Sequence, residues 1–106
     1  MKMIISIINK RDADEVCTSL KNAGDFFTKM ATTGGFLTAG NTTLLIGIDD
    51  DKVNDAIGII RRHCSRRTET VLAAQHPGTA PIAYPTQVSV GGATVFVTDI
   101  EHFEKM

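Results

Sequence analysis

The chain has 106 residues, of which 42% are hydrophobic and 22% charged, and its formal net charge is −1. That length suits one domain spanning 1–106, large enough to bury a core without staples. A near-neutral balance gives no footprint for binding DNA, RNA or an anionic membrane, and no apolar run approaches the roughly 20 residues of a membrane span.

Met3-Ile4-Ile5-Ser6-Ile7-Ile8 is short, apolar and β-branched, as a buried central strand is. Asp12 followed by Glu15 has the capping-box spacing. Val16 and Leu20 lie one helical turn apart, and Gly24 is a stop signal. A first helix is therefore expected near 12–23. Phe26 to Thr32 reads as a second strand and Thr42 to Ile48 as a third. The glycine-rich run 33–41 separates them. Asp49-Asp50-Asp51 offers N-cap residues, and Val53, Ile57 and Ile60 recur at helical spacing, so a second helix is expected over about 51–64.

From Thr68 to Tyr84 the pattern lapses, and Pro77, Gly78, Pro81 and Pro85 predict an irregular loop. Gln87 to Val90 alternates like an edge strand. Gly91-Gly92 is a turn, 93–97 a last strand, and Ile100 to Phe103 a short turn of helix. The main elements follow the order βαββαβ, the ferredoxin-like α+β sandwich, with an antiparallel sheet and two helices on one face. The strands are apolar on both sides, so the uncovered face is expected to be buried in an oligomer.

The chemistry concentrates in Ala31-Thr32-Thr33-Gly34-Gly35-Phe36-Leu37-Thr38-Ala39-Gly40-Asn41-Thr42-Thr43. Glycines let backbone amides approach an anion, and threonines add hydroxyls. Phe36 and Leu37 offer an apolar surface to a flat ring. Asn41 offers the donor and acceptor that the edge of an adenine requires, and an amide after a glycine turn is a poor core residue. The run is not a Walker loop, because no Gly-Lys pair follows, and not a Rossmann fingerprint, because a strand follows. By itself it fits either a ligand loop or a hairpin turn.

Lys29 to Leu37 followed by Ala39-Gly40-Asn41-Thr42-Thr43, with Val90-Gly91-Gly92-Ala93-Thr94-Val95-Phe96-Val97 near the C-terminus, resembles the PII-like cyclic di-AMP receptors. The likeness covers nearly the whole chain and is weakest in the first helix and in 70–84. It implies a homotrimer of PII-like, ferredoxin-like subunits. Cyclic di-AMP, a bacterial second messenger, would bind between neighbours and reorder the loops 34–40 and 70–84. The matching ligand positions are Thr28, Gly35, Phe36, Leu37, Asn41, Gly47 and Gly92. Phe36 and Leu37 would line the pocket, Asn41 and the backbone near Gly47 would meet adenine, and Thr28 would approach phosphate. The chain departs from the family where an asparagine and an arginine usually precede that threonine: Gly24 and Phe26 stand there. Phenylalanine cannot supply the charge a phosphodiester favours. The second reading is therefore a PII-like regulatory or interaction module that takes another nucleotide, an anion or a protein.

Other motifs carry less. Arg61-Arg62-His63-Cys64-Ser65-Arg66-Arg67 complements a helix C-terminus. His63 and Cys64 have no partner at metal-finger spacing, so no metal is expected. No nucleophile–base pair stands out, so no catalytic residue is assigned and a non-enzyme is expected. Cys17 and Cys64 stand apart on separate helices, and the N-terminus has no signal-peptide pattern, which together fit a cytoplasmic protein. The downstream protein partner is not named by any motif.

Overall fold

The computed structural model describes residues 1–32, 40–74 and 83–106. Strands β1 (Lys2–Asn9), β2 (Phe27–Thr32), β3 (Asn41–Ile48) and β6 (Ala93–Asp99) form one antiparallel sheet in the order β2-β3-β1-β6. Helices α1 (Lys10–Asn22) and α2 (Val53–His63) cover one side of it. This is the ferredoxin-like α+β arrangement. The remaining strands, β4 (Arg67–Ala74) and β5 (Ala83–Val90), pair with each other in a separate two-stranded ribbon.

Alternation decides which strand residues meet the helices. Ile4, Ser6 and Ile8 of β1 are buried, and they pair with Ile46, Leu44 and Thr42 of β3 on the same face. Against this face α1 sets Ala13, Val16, Cys17 and Leu20, and α2 with its C-cap sets Ala56, Ile59, Ile60 and Cys64. Burying the valine, leucine and isoleucine side chains among them stabilises by about 1.5–3 kcal/mol each. The Ser6 hydroxyl lies among them with no hydrogen-bond partner among the described residues.

Helix α1 begins earlier than expected. Asn9 is its N-cap, its side chain accepting the Arg11 N–H at 2.9 Å. Asp12 therefore lies inside the first turn and does not cap. The helix ends as the sequence implies. Gly24 takes φ +82, and the bonds from Gly24 N–H to Lys21 O and from Asp25 N–H to Leu20 O close a Schellman turn. Before α2, Asp50–Lys52 forms a short 3-10 turn, and Asp49 caps it without a side-chain bond. The Asp50 carboxylate instead meets the N-terminal ammonium at 2.8 Å.

Two expectations are overturned. The stretch 68–84, read as an irregular loop, contains most of β4 and the start of β5, with Arg67 opposite Val90 and Ala74 opposite Ala83. The tail 100–106 adds no helical turn. Its amide at Ile100 donates to Met1 O at 3.2 Å and holds the tail beside the start of β1. Segments 33–39 and 75–82, parts of the two loops expected to reorder, lie outside the described residues.

Candidate functional site

The sheet face away from the helices carries the residues of opposite parity. Met3, Ile5 and Ile7 of β1 lie beside Gly47, Leu45 and Thr43 of β3, Thr28 and Met30 of β2, and Phe96 of β6. Met30 and Phe96 remain well exposed, and Met3, Ile5, Ile7 and Leu45 are only half-buried. The expected second apolar face is thus present. An apolar face of this kind marks an interaction surface rather than a solvated one.

Thr28, Asn41 and Gly47 all lie on that face, but not at one place. Gly47 pairs with Met3, and Phe26 follows in line with it just beyond the last β2–β3 pair. Asn41 pairs with Asn9 on one side and Thr32 on the other, and Gly92 follows in line with Asn9 just beyond the end of β6. Six residue steps along β3 separate the two rows, about 20 Å at about 3.4 Å per residue. Gly35, Phe36 and Leu37 lie outside the described residues.

The Gly47 row borders a groove of about 460 Å³, lined by Met1, Met3, Phe26, Phe27, Thr28, Leu45, Gly47, Ile100, Phe103 and Lys105. Gly47 deepens it, because nothing lies within 4 Å of the place a Cβ would occupy. Phe26 is 86% exposed at its edge. It has no role in the core, and its exposed ring is available to stack on a planar group. Among the described residues lining the groove, Lys105 is the one cationic side chain. Lys29 pairs with Leu44 and so belongs to the helix-facing set, away from Thr28.

The other row is more enclosed. Asn41 is only 5% exposed, so the expectation that its amide stays out of the packed interior does not hold. Beside it the Thr32 and Thr43 hydroxyls bond at 2.7 Å, and the Lys10 N–H donates to Gly40 O at 3.0 Å. Gly91 and Gly92 take φ +85 and +83, and the Gly92 N–H donates to Cys64 O. The glycine pair thus ties the start of β6 to the end of α2.

Outside this face the structure joins residues that stand far apart in the chain. The Ser19 hydroxyl lies 3.0 Å from His63 Nε2, and Glu15 lies 3.4 Å from His63 Nδ1. This hydroxyl–imidazole–carboxylate series was invisible because 44 residues separate Ser19 from His63. Ser19 sits within α1, whose backbone amides are committed to the helix, and Asp14 adds negative charge to the same surface hollow. The surroundings are thus wrong for stabilising an oxyanion. Both cysteines are buried, and burial pushes the Cys17 and Cys64 thiols upward, Cys64 to about 12. Among the described residues no three His, Cys, Asp or Glu side chains gather to hold a metal. No described helix is long and apolar enough to cross a membrane.

The description "Cyclic-di-AMP receptor" belongs to a protein family whose model matches residues 1–106. The nitrogen fixation nifHD region GlnB-like protein 1 of Methanothermococcus thermolithotrophicus is 36% identical over 78 residues, covering 61% of this chain and 74% of that protein. A crystal structure of a functionally unknown protein from Pediococcus pentosaceus ATCC 25745 superposes with a TM-score of 0.78 at 36% identity, over 99% of this chain and 96% of that one. With the family match running from the first residue to the last, this chain belongs to the cyclic-di-AMP receptor family.

Proposed function

We propose that the protein is a signal-transduction receptor that binds a cyclic dinucleotide, cyclic di-AMP, between neighbouring subunits of a homotrimer, and that binding reorders the surrounding loops to engage a partner protein. The observation that carries this reading is the separation of the candidate residues into two rows about 20 Å apart along one sheet face. One small ligand does not reach both rows of a single chain. A neighbour packed on the apolar face brings one row of its own to the opposite row of the first chain. Such a head-to-tail contact closes into a ring when its rotation is about one-third of a turn, as a trimer requires. The Gly47–Thr28 groove and Phe26 then hold one part of the ligand. Asn41, Gly92 and the glycine-rich segment with Gly35, Phe36 and Leu37 hold the other.

A second reading, a PII-like module for a different nucleotide or a protein partner, is favoured by Phe26. An exposed aromatic ring stands where a phosphodiester would gain most from a cation, and among the described residues lining the groove Lys105 is the one cationic side chain. Calorimetry with cyclic di-AMP, AMP and ATP, alongside light scattering at micromolar protein, separates the readings. A trimer that binds cyclic di-AMP supports the first. A trimer that binds only a mononucleotide, or none of the three, supports the second. A monomer would remove the intersubunit site altogether.

A further inference from the structure

Among the described residues the β4–β5 ribbon pairs only with itself, so its direction is fixed where it joins the body. It leaves through Ser65 and Arg66, just after the α2 C-cap Cys64, and returns through Gly91 and Gly92. Consecutive residues at φ +85 and +83 form a segment that only glycine enters without strain, and the Gly92 N–H bond to Cys64 O anchors the body side of this joint. The passage is narrow. A Cβ on Gly91 would lie 2.5 Å from Ser65 O and 2.9 Å from Arg67 Nη1.

An ion pair crosses from this root to the body. Arg67, the first residue of β4, donates from Nη2 to Asp12 Oδ1 at 2.8 Å and from Nη1 to Ser65 O at 3.3 Å. Asp12 is 3% exposed, and its second carboxylate oxygen has no hydrogen-bond partner among the described residues. A buried carboxylate with one oxygen unanswered depends on the guanidinium that answers the other. That dependence explains why Asp12 occupies the first turn of α1 without capping it: the side chain is committed to the ribbon. The Cys64 thiol packs beside the pair and remains protonated there. Arg67 is 39% exposed on its side chain, so the pair is buried at one end and open to solvent at the other.

We propose that the Asp12–Arg67 pair is a latch that fixes the angle of the β4–β5 ribbon, with Gly91–Gly92 as the hinge that it restrains. The latch needs no ligand and does not depend on the receptor reading. Asn9, three residues before Asp12, lies in the candidate row beside Gly92, so the latch adjoins that end of the site.

Spin labels at Gln87→Cys on the ribbon and Asn54→Cys on α2, both exposed positions, report the angle by pulsed electron paramagnetic resonance. Labelled subunits are diluted in excess unlabelled protein, and the buried native cysteines are left unmodified. A narrow distance distribution is expected for the parent chain. Arg67→Gln should roughly double its width, as for a hinge freed of its restraint, with an intermediate width for Arg67→Lys, which keeps the charge but loses the fork. Arg66→Gln, which leaves the pair intact, should change nothing. Gly91→Ala should shift the mean distance by wedging Ser65 from Arg67. Melting curves confirm that each variant is folded, and the Lys variant serves if the Gln variant is not. A distribution already broad in the parent overturns the latch. So does one that is unchanged in the folded Arg67 variants, or broadened equally by Arg66→Gln.

Discussion

Gly47 offers a test in which fold and function move in opposite directions. It lies within β3, where glycine is less stable than alanine by about 0.5–1 kcal/mol because it loses more chain entropy on folding. No positive φ requires glycine there, and the position of a Cβ is clear to 4 Å. Gly47→Ala should therefore stabilise the chain by that amount, a rise of roughly 2–8 °C in Tm for a domain of this size. Gly47→Val should fold as well, since β-branched residues favour strands, but its methyl groups enter the groove bounded by Met3, Phe26 and Thr28. Loss of the recess should weaken cyclic dinucleotide binding by at least about tenfold, or ~1.4 kcal/mol. Thermal melting and calorimetry on the three proteins read both effects. Unchanged affinity in Gly47→Val, against a parent that binds, would refute the use of the groove. A lower Tm for Gly47→Ala would show that another surface packs against Gly47.

Phe26→Arg should strengthen binding of cyclic di-AMP by about 1.5–3 kcal/mol, the worth of a hydrogen bond to a charged group, and the gain should shrink with added salt. Because Phe26 is 86% exposed, its Tm should stay near that of the parent, which melting checks. Asn41→Ala should weaken binding and also lower stability by about 1–3 kcal/mol, since its amide is buried; equal melting curves would contradict that burial. Light scattering should return three times the 11.4 kDa chain mass, and a monomer would refute the ring. Cys64 should resist iodoacetamide at neutral pH until the protein unfolds. Burial, reinforced by the nearby Asp12 carboxylate, raises its thiol from an ordinary 9.0 to about 12. The unfolded chain releases this proton first, so stability should be full below about 9 and fall as pH rises towards about 12, measured by urea melts across that window.

The body of the fold was legible because its elements have one face to bury. Met3 to Ile8 and Thr42 to Ile48 are rich in β-branched and apolar residues, and Val53, Ile57 and Ile60 repeat at helical spacing. The ribbon was not, for the same physical reason. Its strands pair with each other rather than with the four-stranded sheet, and Thr68, Gln87 and Ser89 are exposed, so these positions carry no inward-facing apolar signal. Pro85 within β5 reads as a strand breaker, although a two-stranded ribbon leaves every strand at an edge, where proline is tolerated. Asp12 looked like a cap because its spacing to Glu15 is a local signal, whereas its real partner, Arg67, is 55 residues away. In the candidate site, Thr28, Asn41 and Gly47 were recognisable by resemblance. Their distribution into two rows was not, because it depends on sheet register rather than on residue type.

The two rows also make the proposed site divisible by genetics. Each interface of a closed ring joins unlike patches, so the Gly47 row of one subunit would serve the Asn41 row of the next. A chain crippled at Gly47 and a chain crippled at Asn41 each build only defective sites when alone. Refolded together in equal amounts, they should regain about a quarter of the sites, those where an intact row of each kind happens to meet across a heterologous interface. A chain carrying both lesions could not be rescued by either single variant. Two broken copies would thus restore a signal that neither carries, a form of complementation unavailable to a receptor whose pocket lies within one chain.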